Sequence, residues 1–400
     1  MIVGIVGGGA SGMAAALAAA ENSNVHVILM ERQARLGRKL LATGNGRCNL
    51  TNLHAQEKGY HGDDASFAKN ALAQFPPQET LAWFRRLGLY TVAEESGRVY
   101  PYSDQANSVV DVLRFALNKP NIQVLTGFEV AKIKRTEKGF VIDGPEQIIC
   151  DRLIVACGGL AGTKLGGSMS GYKLLSKLGH RSTRLRPALV QLKTDWEAIA
   201  SLKGVRANCH AQVLFNGDVF AQSCGEIQFT EYGVSGPVIF EISRDACQQN
   251  GRWSCKLDFL PQMDADTLMA ELVARDKELP VEELLTGILH NRLGRVLTKC
   301  AGLKGSWTVG QLSAQQIKDV CSVVKNFELP LTEPMGMDSA QVTAGGICTE
   351  GFDSATMESK LVAGLYACGE VLDIDGDCGG YNLQWAWSSG RMAGIHAGKE

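Results

Sequence analysis

Short apolar runs alternate along this chain with segments of helical spacing. It opens Ile2-Val3-Gly4-Ile5-Val6, passes Gly7-Gly8-Gly9-Ala10-Ser11-Gly12 and an alanine-rich run, and reaches Val25-His26-Val27-Ile28-Leu29-Met30-Glu31. That order predicts a buried strand, a tight turn, a helix and a second strand ending in an acid. Asn121–Leu125 and Lys138–Ile142 read as further strands, and Asp151–Cys157 as a buried parallel one ending in Gly158-Gly159. Leu174 to Leu178 belongs to a helix that stops at Gly179, a natural residue just beyond a helix end.

From about Leu189 the texture changes. Ala211–Phe215 and Asp218–Ala221 flank Asn216-Gly217, which predicts a hairpin with a type I′ turn. Short strands are expected around Ile227, around Ile239 and over Trp253–Phe259, giving a small antiparallel sheet or barrel. Between Asp264 and about Val324 the period is helical: Leu268, Leu272 and Val273, then Leu284, Leu285 and Ile288, then Ile317, Val320, Cys321 and Val324. Pro280 is expected to open a helix at its first turn. The first style then returns, with a strand over Lys360–Glu370, then Gly379-Gly380-Tyr381-Asn382 and an apolar helix from Leu383 to about His396. The expected division is a nucleotide-binding domain over 1–190 and 336–400, a barrel-like β-rich domain over 191–262 and 325–335, and a helical insertion over 263–324.

Composition narrows the class. Hydrophobic residues at 45% and charged ones at 20% describe a globular chain, and a net charge of −2 argues against a protein that generally coats nucleic acid or membrane. No apolar run reaches the roughly 18 residues of a membrane span. The apolar start lacks the basic stretch of a signal peptide and is broken by glycines, so a cytoplasmic protein without a membrane partner is expected. The twelve cysteines show neither C-x-x-C nor zinc spacing, so no metal is expected. Cys157, Cys348 and Cys368, within apolar strands, read as packed thiols.

The opening unit carries the clearest chemistry. Gly7 makes the tight turn, Gly9 lets a pyrophosphate approach the backbone, and Gly12 lets the helix lie close on the strand. The helix N-terminus offers N–H groups and a positive dipole end to phosphate. Glu31, 19 residues after Gly12, stands where a ribose hydroxyl is usually accepted. This unit reads as a dinucleotide site. The only other glycine cluster, Gly158 to Gly167, lacks a second strand and acid, so one such site is expected. Gly369-Glu370 suits the ribitol of FAD better than NAD, and a helix beginning near Leu383 directs a positive end toward the flavin N1–O2 edge.

Several long motifs carry a family resemblance. Gly37 to Asn52 (GRKLLATGNGRCNLTN), Phe229 to Pro237, Thr343 to Gly346, Thr356 to Lys360 and Gly376 to Ala386 resemble the signatures of the BaiN-like (YhiN-type) FAD-dependent oxidoreductases, from end to end of the chain. The resemblance implies an α/β, Rossmann-like, glutathione-reductase-like FAD-binding domain, interrupted by a β-rich domain and a helical insertion. It implies cofactor contacts from Gly7, Gly9, Ala10, Ser11, Gly12, Glu31 and Arg32, and from Arg38, Lys39, Leu40, Ala42, Thr43, Gly44, Asn45, Arg47, Cys48 and Asn49. Further contacts fall on Val130 (adenine, through its backbone), Ala156, Cys157, Gly158, Gly369, Glu370, Gly379, Gly380, Tyr381, Asn382 and Leu383. One departure is Cys157 with Cys378, where small Thr-like residues are expected.

Individual residues admit a plainer reading as well. Arg38, Lys39 and Arg47 either neutralise the pyrophosphate or form a solvated basic loop, and their place after the nucleotide unit favours binding. Cys48 lacks a nearby partner and reads as a packed or flavin-adjacent thiol more readily than a redox one. Catalytic candidates are Cys48, Tyr381, Asn382 and Asp375, the last in an alternating run with Asp373 and Asp377 that reads as a structured acidic turn. His180 reads as a helix-end histidine, and Tyr232 and Ser235 as candidates for substrate contact. Lys177, Arg181, Arg184, Arg186 and Lys193, with Arg292, Arg295 and Lys299 on one helix face, are either solvated surface or a phosphate-binding face for RNA.

The function expected is an FAD-dependent oxidoreductase, fed by NADH or NADPH, that reduces an electron-poor C=C bond in a small molecule. The alternatives are reduction of uracil to dihydrouracil in ribosomal RNA, amine oxidation, and non-catalytic flavin binding. All rest on the resemblance, since fold does not settle function.

Overall fold

A computed structural model describes residues 1–56 and 58–399. The chain forms two compact units, Met1–Pro187 with Ala340–Glu400, and Ala188–Ser339.

In the first unit, strand β1 (Ile2–Val6), helix α1 (Ala10–Ala19) and strand β2 (His26–Glu31) follow one another as the apolar pattern predicts. β1 lies in the middle of a parallel five-stranded sheet, ordered Leu365–Ala367, Arg152–Val155, β1, β2, Ile122–Thr126. Ile5 is paired to Leu29 on one side and Ile154 on the other, which explains the unbroken apolar run of β1. An antiparallel meander of Lys132–Thr136, Gly139–Asp143 and Gln147–Cys150 leads into Arg152–Val155. This strand order, with the glycine turn leaving the central strand, is the dinucleotide-binding arrangement.

The C-terminal helix, Tyr381–Ala397, packs along α1 through small residues. A Cβ on Gly390 would lie 2.3 Å from the Ser11 carbonyl oxygen, and one on Gly394 would lie 2.3 Å from that of Ala15. Spacing by four on both helices puts these contacts on one face of each. The helix is also held by buried polar groups. Gln384 Nε2 shares its two N–H groups among the Phe75 carbonyl, Thr80 Oγ1 and Ser388 Oγ, each at 2.9 Å, and Oε1 accepts from Thr51 Oγ1 at 2.6 Å. Trp387 Nε1 donates to the Leu50 carbonyl at 2.9 Å.

His180 follows the helix Ser170–Ser176 and is buried, stacked on Phe352 and 3.0 Å from Ser359 Oγ. Burial holds its imidazole below the ordinary value of 6.5. The unfolded chain therefore takes up a proton that the folded chain refuses once pH falls below 6.5, and stability is lost on acidification. The melting temperature is expected to drop between about pH 7 and about pH 5.5, and His180→Gln should flatten that drop. Parallel curves for the two proteins would remove His180 as the cause.

The second unit carries a six-stranded antiparallel sheet. Its order is Leu192–Lys193, Gly233–Ser235, Asp218–Phe229, Arg206–Phe215, Trp253–Asp258, Phe327–Leu331. Asn216 and Gly217 have φ of 52° and 97°, the type I′ turn that their identities predict. The helices Ala265–Val273, Asn291–Cys300 and Ala314–Lys325 share one hydrophobic cluster with this sheet, so Leu272, Leu297 and Val320 pack in the same core as Cys255 and Leu329.

Two sequence expectations fail here. Ile239 lies in a short helix, Pro237–Ile242, because Pro237 presets helical φ just after the left-handed Gly236. A short apolar run cannot by itself distinguish the two states. Pro280 opens only a single 3-10 turn, Val281–Glu283, and Gly287 at φ 84° soon turns the chain away. Leu284 and Leu285 are buried in the core without a long helix beneath them.

Candidate functional site

The glycine turn defines the site by what its Cβ positions would meet. At Gly7, with φ at 112°, a Cβ would lie 2.4 Å from the Ala156 carbonyl oxygen. At Gly12 it would lie 1.8 Å from the carbonyl oxygen of Gly7. At Gly9 it would meet nothing within 4 Å, although its neighbours are tightly packed. So Gly7 and Gly12 serve the close approach of helix and strand, while Gly9 faces open space at the N-terminus of α1, where a phosphate is favoured. Glu31 Oε2 accepts the Gly8 N–H and Oε1 the Gln33 N–H, both at 2.7 Å. Each oxygen retains a lone pair for a ribose hydroxyl.

The segment after β2 is tied back to this turn, Gly37 N–H donating to the Gly8 carbonyl at 2.9 Å. It then makes a run of left-handed residues: Gly44 and Asn45 at φ 57°, Gly46 at 86° and Cys48 at 62°. Thr43 Oγ1 holds the Leu40 carbonyl at 2.7 Å. Leu40 points into the core, whereas Ala42, Asn45 and Gly46 are exposed. Asn49 is buried, and its Oδ1 has no hydrogen-bond partner among the described residues. A buried acceptor left open beside a strained loop fits the donor of a bound cofactor.

The cationic residues are committed in unequal ways. Lys39 pairs with Glu370 at 2.8 Å, and Glu370 also accepts the Thr343 N–H at 2.9 Å. Arg38 donates to Gln33 and Arg32 to the Gly166 carbonyl, both at 2.7 Å. Arg47 is 2.5 Å from Asp104, reaches Glu94 and lies over the Tyr100 ring. Two acids thus already answer its charge.

The catalytic candidates from sequence are placed as follows. Cys48 is sealed from solvent and burial pushes its thiol up to about 12, so no reactive thiolate forms there. Cys157 and Cys368 are likewise pushed up to about 12 by burial. Asp375 is only 2% exposed. Asn382 exchanges hydrogen bonds with the main chain of Gly376, at 2.9 and 2.7 Å, and clamps a loop with its amide. Tyr381 begins the C-terminal helix, edge-on to Tyr60 with ring centroids 5.8 Å apart. Gly379 and Gly380, at φ 109° and 103°, turn the chain into that helix, and a Cβ on Gly380 would lie 2.4 Å from the Thr51 carbonyl. Its first turn carries no acid to cancel the positive dipole end.

Val130 is buried just before the strand Lys132–Thr136. Gly158, at φ 69°, faces open space after Ala156 and Cys157. Gly369 donates its N–H to Ser389 Oγ at 3.0 Å. In the second unit, Ser235 is buried and Tyr232 lies 3.5 Å from Gln191 Oε1. Among the described residues no cluster of ligands could hold a metal ion, and no helix is long and apolar enough to cross a membrane.

Comparison with known proteins agrees with this geometry. The family model for the HI0933-like protein Rossmann domain matches residues 1–396. The chain belongs to the HI0933-like family. It is 41% identical over 401 aligned positions to a 3-dehydro-bile acid delta(4,6)-reductase of Clostridium scindens, covering 98% of each chain. It is 31% identical to a ribosomal RNA dihydrouridine synthase of Escherichia coli, covering 96% of this chain and 95% of the other. A 3-ketosteroid delta1-dehydrogenase from Sterolibacterium denitrificans shares the fold, with a TM-score of 0.51 at 13% identity over 99% of each chain. This HI0933-like protein is an FAD-dependent oxidoreductase with a Rossmann-type cofactor domain. The open cradle at Gly9 and the unanswered Asn49 Oδ1 fit that cofactor.

Sequence reasoning missed three parts of the site. Thr51 and Gln384 lie 333 positions apart and join only in the fold. The glycines at 390 and 394 mark helix contact by their spacing, a signal present in the sequence. His61, 2.7 Å from Asp377 across 316 positions, carried no local signal at all.

Proposed function

We propose that the protein uses NADH or NADPH to reduce an electron-poor C=C bond, conjugated to a carbonyl, in a small molecule. The observation that carries this reading is the end-to-end 41% identity to a reductase whose name places its action on such a bond. FAD, when bound, supplies hydride transfer between donor and acceptor. The protein's own residues bind and orient. The α1 N-terminus with Gly9, Ala10 and Ser11 would hold the pyrophosphate, Glu31 the ribose, Val130 the adenine through its backbone, and Asn49 a buried donor group. Gly158, with the Glu370–Lys39 pair, would flank the ribitol. The positive end of the helix Tyr381–Ala397 would face the edge of the ring system where negative charge develops. Twelve cysteines without a bridge fit a reducing cytoplasm.

Reduction of uracil in ribosomal RNA is the second reading, resting on relatives at 31% and 30% identity. Its proposed basic face is weakened by the fold. Arg292 donates to the Ser201 and Lys203 carbonyls, Arg295 pairs with Glu283, Arg181 with Glu350 and Lys193 with Glu333.

The test is anaerobic addition of NADH or NADPH to the yellow protein while flavin absorbance is followed. Bleaching, with colour restored by a steroid-like enone, is expected. Colour restored only by ribosomal RNA would establish the second reading. No bleaching by either donor would overturn both and leave amine oxidation or passive flavin binding.

A further inference from the structure

The residues around Tyr60 form a strap over the entry to the C-terminal helix. Tyr60–His61 pairs antiparallel with Asp375–Gly376, His61 standing opposite Asp375 and Tyr60 opposite Gly376. The Asp377 N–H donates to the Gly59 carbonyl at 2.8 Å and extends the ladder by one bond. Gly59, at φ 90°, leaves no room for a side chain, since a Cβ would lie 2.7 Å from both Asp377 Oδ2 and the Tyr381 ring. Tyr60 Oη donates to the Ala55 carbonyl at 2.9 Å and fixes the strap from below. On this base His61 Nε2 meets Asp377 Oδ1 at 2.7 Å. The Asn382 clamp on Gly376 holds the same loop against the first turn of the helix.

Exposure sets this pair apart. The His61 and Asp377 side chains are 38% and 47% exposed, whereas Asp373 and Asp375 are buried. Nδ1 of His61 has no hydrogen-bond partner among the described residues, so the imidazole is anchored on one nitrogen and open on the other. A carboxylate on one ring nitrogen fixes which nitrogen is presented outward.

We propose that His61 is the proton donor of the reduction and Asp377 its positioning residue; the proposal rests on the reductase reading above. The overall reaction adds two electrons and two protons across the C=C bond. The dihydronicotinamide supplies both electrons and one hydrogen as hydride, which ends on the carbon β to the carbonyl. The His61 Nδ1–H bond breaks as a C–H bond forms at the α carbon. The ring is left neutral with Nε2–H still on Asp377, and water returns the proton.

The test separates the two half-reactions in His61→Gln and Asp377→Asn, each purified with FAD and checked for unchanged flavin content and melting temperature. Bleaching by NADH or NADPH should match wild type within about twofold, while recolouring by the enone should slow about 100-fold or more in His61→Gln. His61→Ala should regain rate with added imidazole, which a purely structural role would not allow. In the protein without substrate, nitrogen NMR should show a hydrogen held on Nε2 by the carboxylate in wild type and its loss in Asp377→Asn. Equal recolouring of wild type and His61→Gln would overturn the assignment of His61 alone. A wild type that bleaches but is recoloured by no enone would overturn the reductase reading, and the proposal with it.

Discussion

Gly9→Ala is expected to fold as well as wild type and to lose most of its FAD affinity, while Gly12→Ala fails to fold properly even without the cofactor. The contrast follows from geometry. Gly9 has φ −80° and ψ −168°, which any residue adopts, and its added methyl meets no protein atom within 4 Å. That methyl would instead occupy the place of the pyrophosphate. A steric conflict of about 1–3 kcal/mol corresponds to a loss of up to about 100-fold in Kd. At Gly12 the methyl would fall 1.8 Å from a main-chain oxygen of the same turn, and no side-chain motion relieves that. Urea unfolding of the apo proteins, with flavin fluorescence titration, checks both halves. Unaltered FAD binding by Gly9→Ala would mean that the pyrophosphate does not lie on this turn.

Gly394→Leu should strongly destabilise the C-terminal helix, costing about 3 kcal/mol or more. Its Cβ would lie 2.3 Å from the Ala15 carbonyl oxygen and 2.8 Å from the Ala18 Cβ. The two helices would have to part, and the α1 N-terminus is where the pyrophosphate is proposed to sit. FAD affinity should therefore fall together with stability. A shift in the urea midpoint with unchanged FAD binding would show that the two helices are not coupled in this way.

Some of this site lay open in the chain. The β1–α1–β2 unit is local: a strand, a glycine turn, a helix and a second strand within 31 residues are readable from spacing alone. The Asn216-Gly217 hairpin is equally local, because a two-residue turn with both φ positive admits few residue types. The apolar period named the C-terminal helix to within about two residues at its start.

What the tertiary structure decided were the partners. Arg47 sits among glycines in a loop that looks built for phosphate, yet Asp104 and Glu94 answer it from a distant part of the chain. Cys48 stands in a glycine-rich loop, where the sequence leaves open whether it packs in the core or beside the flavin; it is fully buried. Asp373, Asp375 and Asp377 are alike in sequence. Asp375 is buried in the ladder with Tyr60–His61, Asp373 is buried where it accepts the Asp63 N–H, and Asp377 is left against an imidazole. A local motif constrains backbone shape, and backbone shape is what spacing encodes. Burial and pairing depend on residues hundreds of positions away, so charge, reactivity and access at this site were determined only when the chain closed on itself.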